Sequence, residues 1–414
     1  MKEKNAKRVM RMPIPSNMIN FTPNESQQGA LQAMKHWYEE EKTFKPYFTL
    51  SGAAGTGKTS LILYFFQMMG FSMDDFICAA YVGKAVTVLA SKGLPAKTIH
   101  SLIYKRVISY EKDEQGNIVL DEDGNPKEKF AFVLRDRLEG DYKIIAIDEA
   151  SMVDTNMEAD LLSFGIPIIF IGDHHQLPPI FGNSAVMMNP DYILNQIMRQ
   201  NRDNPIIYLS QLVIRGMPLE LGTYGDSKIT AEVDLGTNLL TDYDTIIMGR
   251  NKVRQMFNDH IRFRILGAKD FLPMEGEKLI CRQNNWNQEL GDGLYLTNGT
   301  QGICDHVYFD KMKKGIVPID FTPDITKRKI RKLGMDTKYL KLKCYETNDY
   351  GISPYNKFEY SYAITAHLSQ GSEWPSVLLL DGKFQDYDTT QKLRYTAITR
   401  ASEKIHIVIQ GRRL

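Results

Sequence analysis

The run Gly52-Ala53-Ala54-Gly55-Thr56-Gly57-Lys58-Thr59 fits the pattern G-x-x-x-x-G-K-[ST] at every position. Its glycines let the backbone wrap phosphate oxygens, which the loop N–H groups then bind. Lys58 is expected to reach the β- and γ-phosphates, and the Thr59 hydroxyl to hold Mg²⁺. A nucleotide hydrolase also needs carboxylates. Ile144-Ile145-Ala146-Ile147-Asp148-Glu149 delivers two at the end of an apolar run. Asp148 suits the Mg²⁺ shell and Glu149 the general base that orients water. Further on, Gly172-Asp173-His174-His175-Gln176-Leu177-Pro178-Pro179 carries Gln176, whose amide can bond both a γ-phosphate and the attacking water, on a loop stiffened by prolines. The competing readings are a glycine-rich turn, an acid pair that caps a helix, and a His174–His175 metal site. The strand and helix flanking the loop argue against the first. The loop about ninety residues upstream argues against the second, and the lack of a third ligand at useful spacing argues against the third.

These groups need strands that end together. Short apolar runs of the kind found in buried parallel strands occur at Tyr47–Leu50, Phe76–Tyr81, Lys143–Ile147 and Ile166–Ile171, and again at Thr245–Met248, Lys278–Cys281, Ser376–Leu380 and Lys404–Ile409. The rhythm is that of an α/β protein with two parallel sheets. Ligands in such folds bind beyond the strand C-termini, where the glycine loop and the acid pair fall. Two stretches break the rhythm. Arg106–Leu134 carries the turn signals Asp113–Asn117 and Asp123–Pro126 around the strand-like Ile118-Val119-Leu120, and is expected to be a β-hairpin insert. Asp305–Phe358 is expected to be a small β-rich insert with a basic face from Lys327 to Lys343.

With 414 residues the chain exceeds one ordinary core, which predicts two domains. The expected organisation is a basic arm over 1–20, a first domain over 21–185 and a second over 186–414. No apolar run of about 18 residues predicts a membrane span, and the basic N-terminal stretch lacks the apolar centre of a signal peptide. Cys78, Cys281, Cys304 and Cys344 form no Cys-x-x-Cys pair, which argues against zinc or redox chemistry and fits a reducing, intracellular, cytoplasmic setting. Fifty-one basic against fifty acidic residues neither supports nor excludes a nucleic-acid partner, because a whole-chain sum cannot see one charged groove.

Taken in order, the motifs resemble those of superfamily 1 helicases of the 5′→3′ branch, the RecD/Dda-like group, over nearly the whole chain. Phe21–Gln28 is similar to the opening motif in which a glutamine reads adenine, Gln27 being the candidate and Gln28 the alternative. Ala80-Tyr81-Val82-Gly83-Lys84-Ala85 resembles a strand-touching motif, but carries Tyr81 and Val82 in place of Pro-Thr. Thr98–Leu102 resembles the next DNA-contact segment, Leu194–Gln200 a motif with a phosphate-facing arginine, here Arg199, and Gly249-Arg250-Asn251 a DNA-contact turn. Tyr362–Glu373, which includes Thr365, His367, Gln370, Gly371 and Glu373, and Tyr395–Ala401, which ends on Arg400, are similar to the two closing motifs.

The resemblance implies two RecA-like domains with ATP and Mg²⁺ in the cleft between them. It implies Gln27, Gly52, Gly55, Thr56, Gly57, Lys58, Thr59, Ser60, Gln370, Gly371 and Glu373 around the nucleotide. Arg199 and Arg400 would face its phosphates, Arg400 as the arginine finger. Lys84, Thr98, His100, Arg250, Asn251, Thr365 and His367 would grip DNA. The Arg106–Leu134 hairpin would be a wedge, with Tyr110 or Phe130 at the junction. The expected partners are single-stranded DNA and duplex junctions, with a single-strand-binding protein or replication proteins as further candidates, and the expected state is a monomer. Two other readings remain at this point: an ATP-hydrolysing accessory subunit of a repair or recombination complex, and a small-metabolite kinase.

Overall fold

The computed structural model describes residues 14–15, 22–110, 112–113, 115–120, 124, 126, 128–178, 186–198, 203–291, 294–341, 355–382 and 386–409. The basic arm expected over residues 1–20 lies outside the described residues, apart from Ile14 and Pro15. So does Arg199. The chain falls into two compact units. Unit 1 is Met1–Lys105, Leu134–His174 and Phe181–Met198, and unit 2 is Arg106–Val133, His175–Ile180 and Arg199–Leu414.

The first half of the chain supplies β1 (Tyr47–Gly52), β2 (Phe76–Ala80), β3 (Ala96–Thr98), β4 (Tyr104–Tyr110), β5 (Glu128–Leu134), β6 (Ile144–Asp148), β7 (Ile168–Gly172) and β8 (Tyr192–Leu194). Six of these form the sheet of unit 1 in the order β3-β2-β6-β7-β1-β8, and every pairing in it is parallel. Successive side chains alternate between two cores. Phe76, Cys78 and Ala80 face the core shared with α1 (Glu25–His36), α2 (Lys58–Met68) and α3 (Gly83–Ser91). Ile77 and Ala79 face the one shared with α4 (Ile99–Ile103) and α5 (Thr155–Leu162). A strand buried on both faces is apolar throughout, which is why these runs read continuously. β7 starts later than the run Ile166–Ile171 suggests. Pro167 has no N–H to donate, and its carbonyl instead accepts the Ile145 N–H at 2.9 Å.

Unit 2 contains β9 (Gly222–Tyr224), β10 (Ser227–Thr230), β11 (Thr245–Met248), β12 (Lys278–Cys281), β13 (Asn285–Gly291), β14 (Leu294–Leu296), β15 (Gln301–Val307), β16 (Ile316–Pro323), β17 (Ile330–Asp336), β18 (Phe358–Tyr360), β19 (Ala363–Thr365), β20 (Trp374–Asp381) and β21 (Ala401–Ile409). Its larger sheet runs β19-β11-β20-β21-β10-β9, parallel except for the edge strand β9. Helices α6 (Pro205–Ile214), α7 (Leu239–Asp242), α8 (Asn251–His260) and α10 (Tyr387–Ile398) accompany it, while α9 (Lys338–Lys341) lies against β18.

Four expectations from the sequence change. Lys278–Cys281 is not a strand of the α/β sheet. It is β12, antiparallel to β15 on one side and β18 on the other, in a five-stranded sheet β17-β16-β15-β12-β18. The β-rich insert therefore begins before residue 305, at β12. The first-domain boundary expected at 185/186 moves to 198/199, because β8 pairs with β1 through Leu50↔Tyr192, Ser51↔Ile193 and Gly52↔Leu194. Arg106–Val133 groups with unit 2 rather than with the first domain. β4 and β5 do form a hairpin, and the Phe132 ring lies edge-on to Trp286 at 4.5 Å, with Tyr295 5.9 Å beyond. Last, Ile118–Leu120 makes the isolated bridges Lys112↔Ile118 and Leu120↔Pro126 instead of a continuous strand. The turn before it is closed by the Asp113 carboxylate, which accepts the Gln115 and Asn117 N–H groups at 2.9 and 2.8 Å.

One buried ion pair fastens the segment after α8 to the residue before β12. Arg262 and Glu277 are almost fully buried and bonded twice, at 2.7 and 3.1 Å, with the guanidinium 3.8 Å over the Tyr360 ring. Removing one partner strands the other charge in the core. Glu277→Ala is therefore expected to destabilise unit 2 by about 3–5 kcal/mol. Denaturant unfolding followed by fluorescence checks this, and a loss under about 1 kcal/mol, typical of a solvent-screened pair, would show the pair to be dispensable.

Candidate active site

The phosphate loop joins β1 to α2. Gly57 is the N-cap of α2 with φ +78°, and a Cβ there would lie 2.5 Å from Met198 Sδ and 3.0 Å from Gln27 Nε2. Only glycine meets both demands. Thr56 is buried, its hydroxyl donating to the Ala53 carbonyl at 2.8 Å. The Met198 N–H donates to the Gly55 carbonyl at 3.0 Å.

Gln27 sits in the capping box that starts α1. Its Oε1 accepts the Asn24 N–H at 3.0 Å and its Nε2 donates to the Thr56 carbonyl at 3.0 Å. Gln28 points elsewhere, donating to the Pro23 carbonyl at 2.9 Å. Gln27 thus braces the loop, and a base-reading role requires it to exchange one of these bonds.

Lys58 is folded onto its own loop, donating from Nζ to the Gly52 and Ala53 carbonyls at 2.6 and 3.2 Å. Asp148, at the end of β6, accepts the Glu149 N–H at 2.9 Å. Burial pushes its carboxyl above the ordinary range, against the opposing pull of that N–H, of Lys58 and of a bond from Thr59. A hydroxyl and a carboxylate brought together are hard oxygen donors of the kind Mg²⁺ takes, so this pair fits the ion. Glu149 follows with φ +51°, one of four described non-glycine residues with positive φ. Side chains with a Cβ disfavour this conformation, and it recurs at functional positions. After β7, His174 Nδ1 shares a hydrogen with Ser51 Oγ at 2.6 Å, which makes it a structural partner of β1.

Unit 2 carries the remaining candidates. Although Gln176 closely follows β7, which pairs with β1, its segment His175–Ile180 belongs to unit 2. The Leu177 N–H donates to Thr396 Oγ1 at 3.0 Å and the Leu177 carbonyl accepts from Gln370 Nε2 at 2.6 Å. The His175 ring packs against Tyr395 at 5.7 Å. The two closing motifs therefore seat the Gln176 loop. Gln176 itself is buried, and among the described residues its Oε1 has no hydrogen-bond partner. Arg400 is 5% exposed. Its Nε donates to the Thr396 carbonyl at 3.0 Å, Nη1 to the Ser372 carbonyl at 3.3 Å and Nη2 to Thr399 Oγ1 at 3.2 Å. All three acceptors are neutral. Gly371 has φ +68° beside Gln370, Glu373 is exposed, and Ser60 is half-buried on α2.

The DNA-contact candidates divide between the units. Lys84 opens α3 after β2, Thr98 ends β3 and His100 lies in α4. The Thr98 hydroxyl is engaged as the N-cap of α4, accepting the Ser101 N–H at 3.1 Å. Arg250 is the N-cap residue of α8, Asn251 its first residue, Thr365 ends β19 and His367 follows it. In both sheets these are strand C-termini, the edge where ligands bind in such folds. Burial lowers the pKa of His100 and of His367. Burial thus favours the neutral imidazole at both positions. His100 lies between the Tyr81 and Tyr104 rings at 5.9 and 5.6 Å.

A family model described as an AAA domain matches residues 24–234, about half of the chain, and one described as a UvrD-like helicase C-terminal domain matches residues 360–408. The chain belongs to the AAA-domain family, among the superfamily 1 helicases of RecD and Dda type. An ATP-dependent RecD2 DNA helicase of Deinococcus radiodurans is 24% identical over 86% of this chain and 46% of its own. The ATP-dependent DNA helicase dda of Enterobacteria phage T4 is 27% identical over 46% of this chain and 42% of its own. The chain thus spans less than half the length of these two curated relatives. A solved Pif1 helicase structure, described for DNA unwinding at forked duplex DNA by two coordinating Pif1 helicases, superposes with a TM-score of 0.52 at 16% identity. The match covers 93% of this chain and 92% of that one, and shows that this superfamily 1 member shares its fold, with two parallel-sheet RecA-like units.

Sequence reasoning missed two residues of this helicase-family site. Met198 touches the phosphate loop, and Thr396 anchors the Gln176 loop. Both lie inside segments that the resemblance identified, but nothing in one sequence distinguishes a backbone donor or a buried hydroxyl from its neighbours.

Proposed function

We propose that this chain is an ATP-dependent DNA helicase that moves 5′→3′ along single-stranded DNA. The observation that carries the reading is Arg400, a buried guanidinium whose hydrogen-bond acceptors among the described residues are all neutral. A buried cation without a counter-charge is costly, and an anion that joins it recovers that cost. The transferred phosphoryl group is such an anion, with charge spread over its oxygens in the transition state.

Unit 1 would bind the triphosphate through the loop N–H groups and Lys58. Thr59 and Asp148 would hold Mg²⁺, which neutralises charge on the β- and γ-phosphates when bound. Glu149 would take a proton from the attacking water, and Gln176, with its free Oε1, would orient that water. Because the Gln176 loop rests on Gln370 and Thr396, the groups that sense the γ-phosphate are tied to the closing motifs. Lys84, Thr98 and His100 in one unit, and Arg250, Asn251, Thr365 and His367 in the other, would grip the strand backbone in turn. Backbone grip plus stacking gives motion without sequence preference. The β4–β5 hairpin would separate the strands.

The test is ATP turnover with and without a long single-stranded oligonucleotide, together with unwinding of duplexes carrying one 5′ or one 3′ tail. The expected result is a strong rise in turnover with the strand and unwinding of the 5′-tailed substrate alone. Equal turnover in both conditions would rule out a motor. Stimulated turnover without unwinding of either substrate would favour an accessory ATPase instead.

A further inference from the structure

Helix α8 buries an arginine and an asparagine where a packing helix ordinarily buries apolar side chains. Arg254 is 1% exposed and Asn258 4%, one turn apart on the same face. Such groups give up water, so they stay buried only where partners hold them. Asn258 meets the connection between β18 and β19. Its Nδ2 donates to the Tyr360 and Ala363 carbonyls, both at 3.0 Å, and its Oδ1 accepts the Ala363 N–H at 2.9 Å. The helix is thereby fastened to the strand that ends on Thr365.

Arg254 does more than pack. Its Nη1 lies 2.9 Å from Glu359 Oε2 on β18, and its Nε donates to Asn251 Oδ1 at 3.2 Å. Glu359 is itself fixed, because Arg282 Nε lies 3.1 Å from the same oxygen. The ion pair alone would serve stability. The bond to Asn251 instead runs from the buried cluster to an exposed side chain at the start of the helix. An arginine donates and never accepts. Only the Oδ1 end of the Asn251 carboxamide can therefore face it, and the planar amide turns its Nδ2 donors to the other side. Phosphate oxygens are hydrogen-bond acceptors, so that end of the amide suits a nucleic-acid backbone. Held the other way round, the amide would present its oxygen to an anion.

We propose that Arg254 is a positioning residue for the strand grip of unit 2: braced on Glu359, it fixes the Asn251 carboxamide with its donors outward. The proposal rests on the helicase reading, in which Asn251 touches the DNA backbone. Arg254 is too deeply buried to touch a strand itself. An amide fixed before the strand arrives removes an ordering cost from each encounter.

The experiment uses the full chain and the variants Arg254→Lys, Asn251→Ala and the two combined. Lysine offers one nitrogen where arginine offers separate donors to Glu359 and Asn251, so it keeps the ion pair and gives up the amide. Glu359 retains Arg282 in every variant. Steady-state ATP turnover is titrated with single strand, and thermal melting is recorded. The strand concentration at half-maximal turnover should rise roughly three- to tenfold in Arg254→Lys, the worth of about one hydrogen bond. The kcat at saturating strand should change less than that. Asn251→Ala should show a similar rise, and the double variant no more than the larger single one. A residue that acts through Asn251 has nothing to act on once the amide is gone. An arginine that only supports the fold would give effects that multiply, with a lowered Tm. Multiplied effects, or a parent-like half-maximal concentration in either single variant, overturn the proposal, while a strand-stimulated parent keeps the helicase reading. A parent whose turnover ignores the strand removes both.

Discussion

Arg400→Ala is expected to lower strand-stimulated ATP turnover by about 10³–10⁵-fold while leaving ATP affinity within a few-fold. The ground-state triphosphate is already held by the loop N–H groups and Lys58, so the arginine contributes mainly when charge moves onto the phosphoryl oxygens. Arg400 also bonds the Ser372 and Thr396 carbonyls, and truncation frees two buried acceptors. Arg400→Lys separates the two roles. It keeps the charge and much of the stem but loses the planar fork, so folding should be retained and turnover should still fall steeply. Turnover near the parent level in either variant, measured by single-turnover kinetics with ATP saturating, would remove Arg400 from the phosphoryl site.

Glu149→Gln should bind ATP normally and turn over about 10²–10⁴-fold more slowly. The amide keeps the shape and reach of the carboxylate but cannot accept the proton that water must lose. The left-handed backbone at Glu149 aims the side chain independently of its charge, so the substitution leaves the main chain undisturbed. Tight nucleotide binding by filter assay combined with stalled hydrolysis is the expected signature. Comparable turnover with both side chains would assign the base elsewhere.

The phosphate loop and the acid pair were legible because backbone geometry dictates residue type there: glycine at φ +78°, small residues against a crowded loop, carboxylates closing an apolar strand. The parallel strands were legible for a similar reason, since burial on both faces demands continuous apolar runs. Lys278–Cys281 misled because its apolar run is the same whether the strand is parallel in one sheet or antiparallel in another; only the partners differ. The unit boundary misled because three residues, Tyr192–Leu194, decide it, and a three-residue edge strand carries no periodicity. Grouping of the hairpin with unit 2 rests on side chains such as Phe132, which in sequence look like any residue of a polar insert. The burial that lowers the pKa of His100 and His367 was not legible, because it comes from packing that no local pattern reveals.

The seating of the Gln176 loop also sets an order in time. Leu177 hydrogen-bonds to Thr396, 219 residues later in the chain. At about 5–20 residues per second, the ribosome delivers that partner roughly 10–45 s after the loop itself has been made. Once Met198 has been made, the nascent chain has its phosphate loop and acid pair complete, yet the Gln176 loop still has no seat. On the proposed reading, a half-made chain would bind nucleotide before it could hydrolyse it, and ATP present during synthesis would act on it as a folding ligand rather than as fuel.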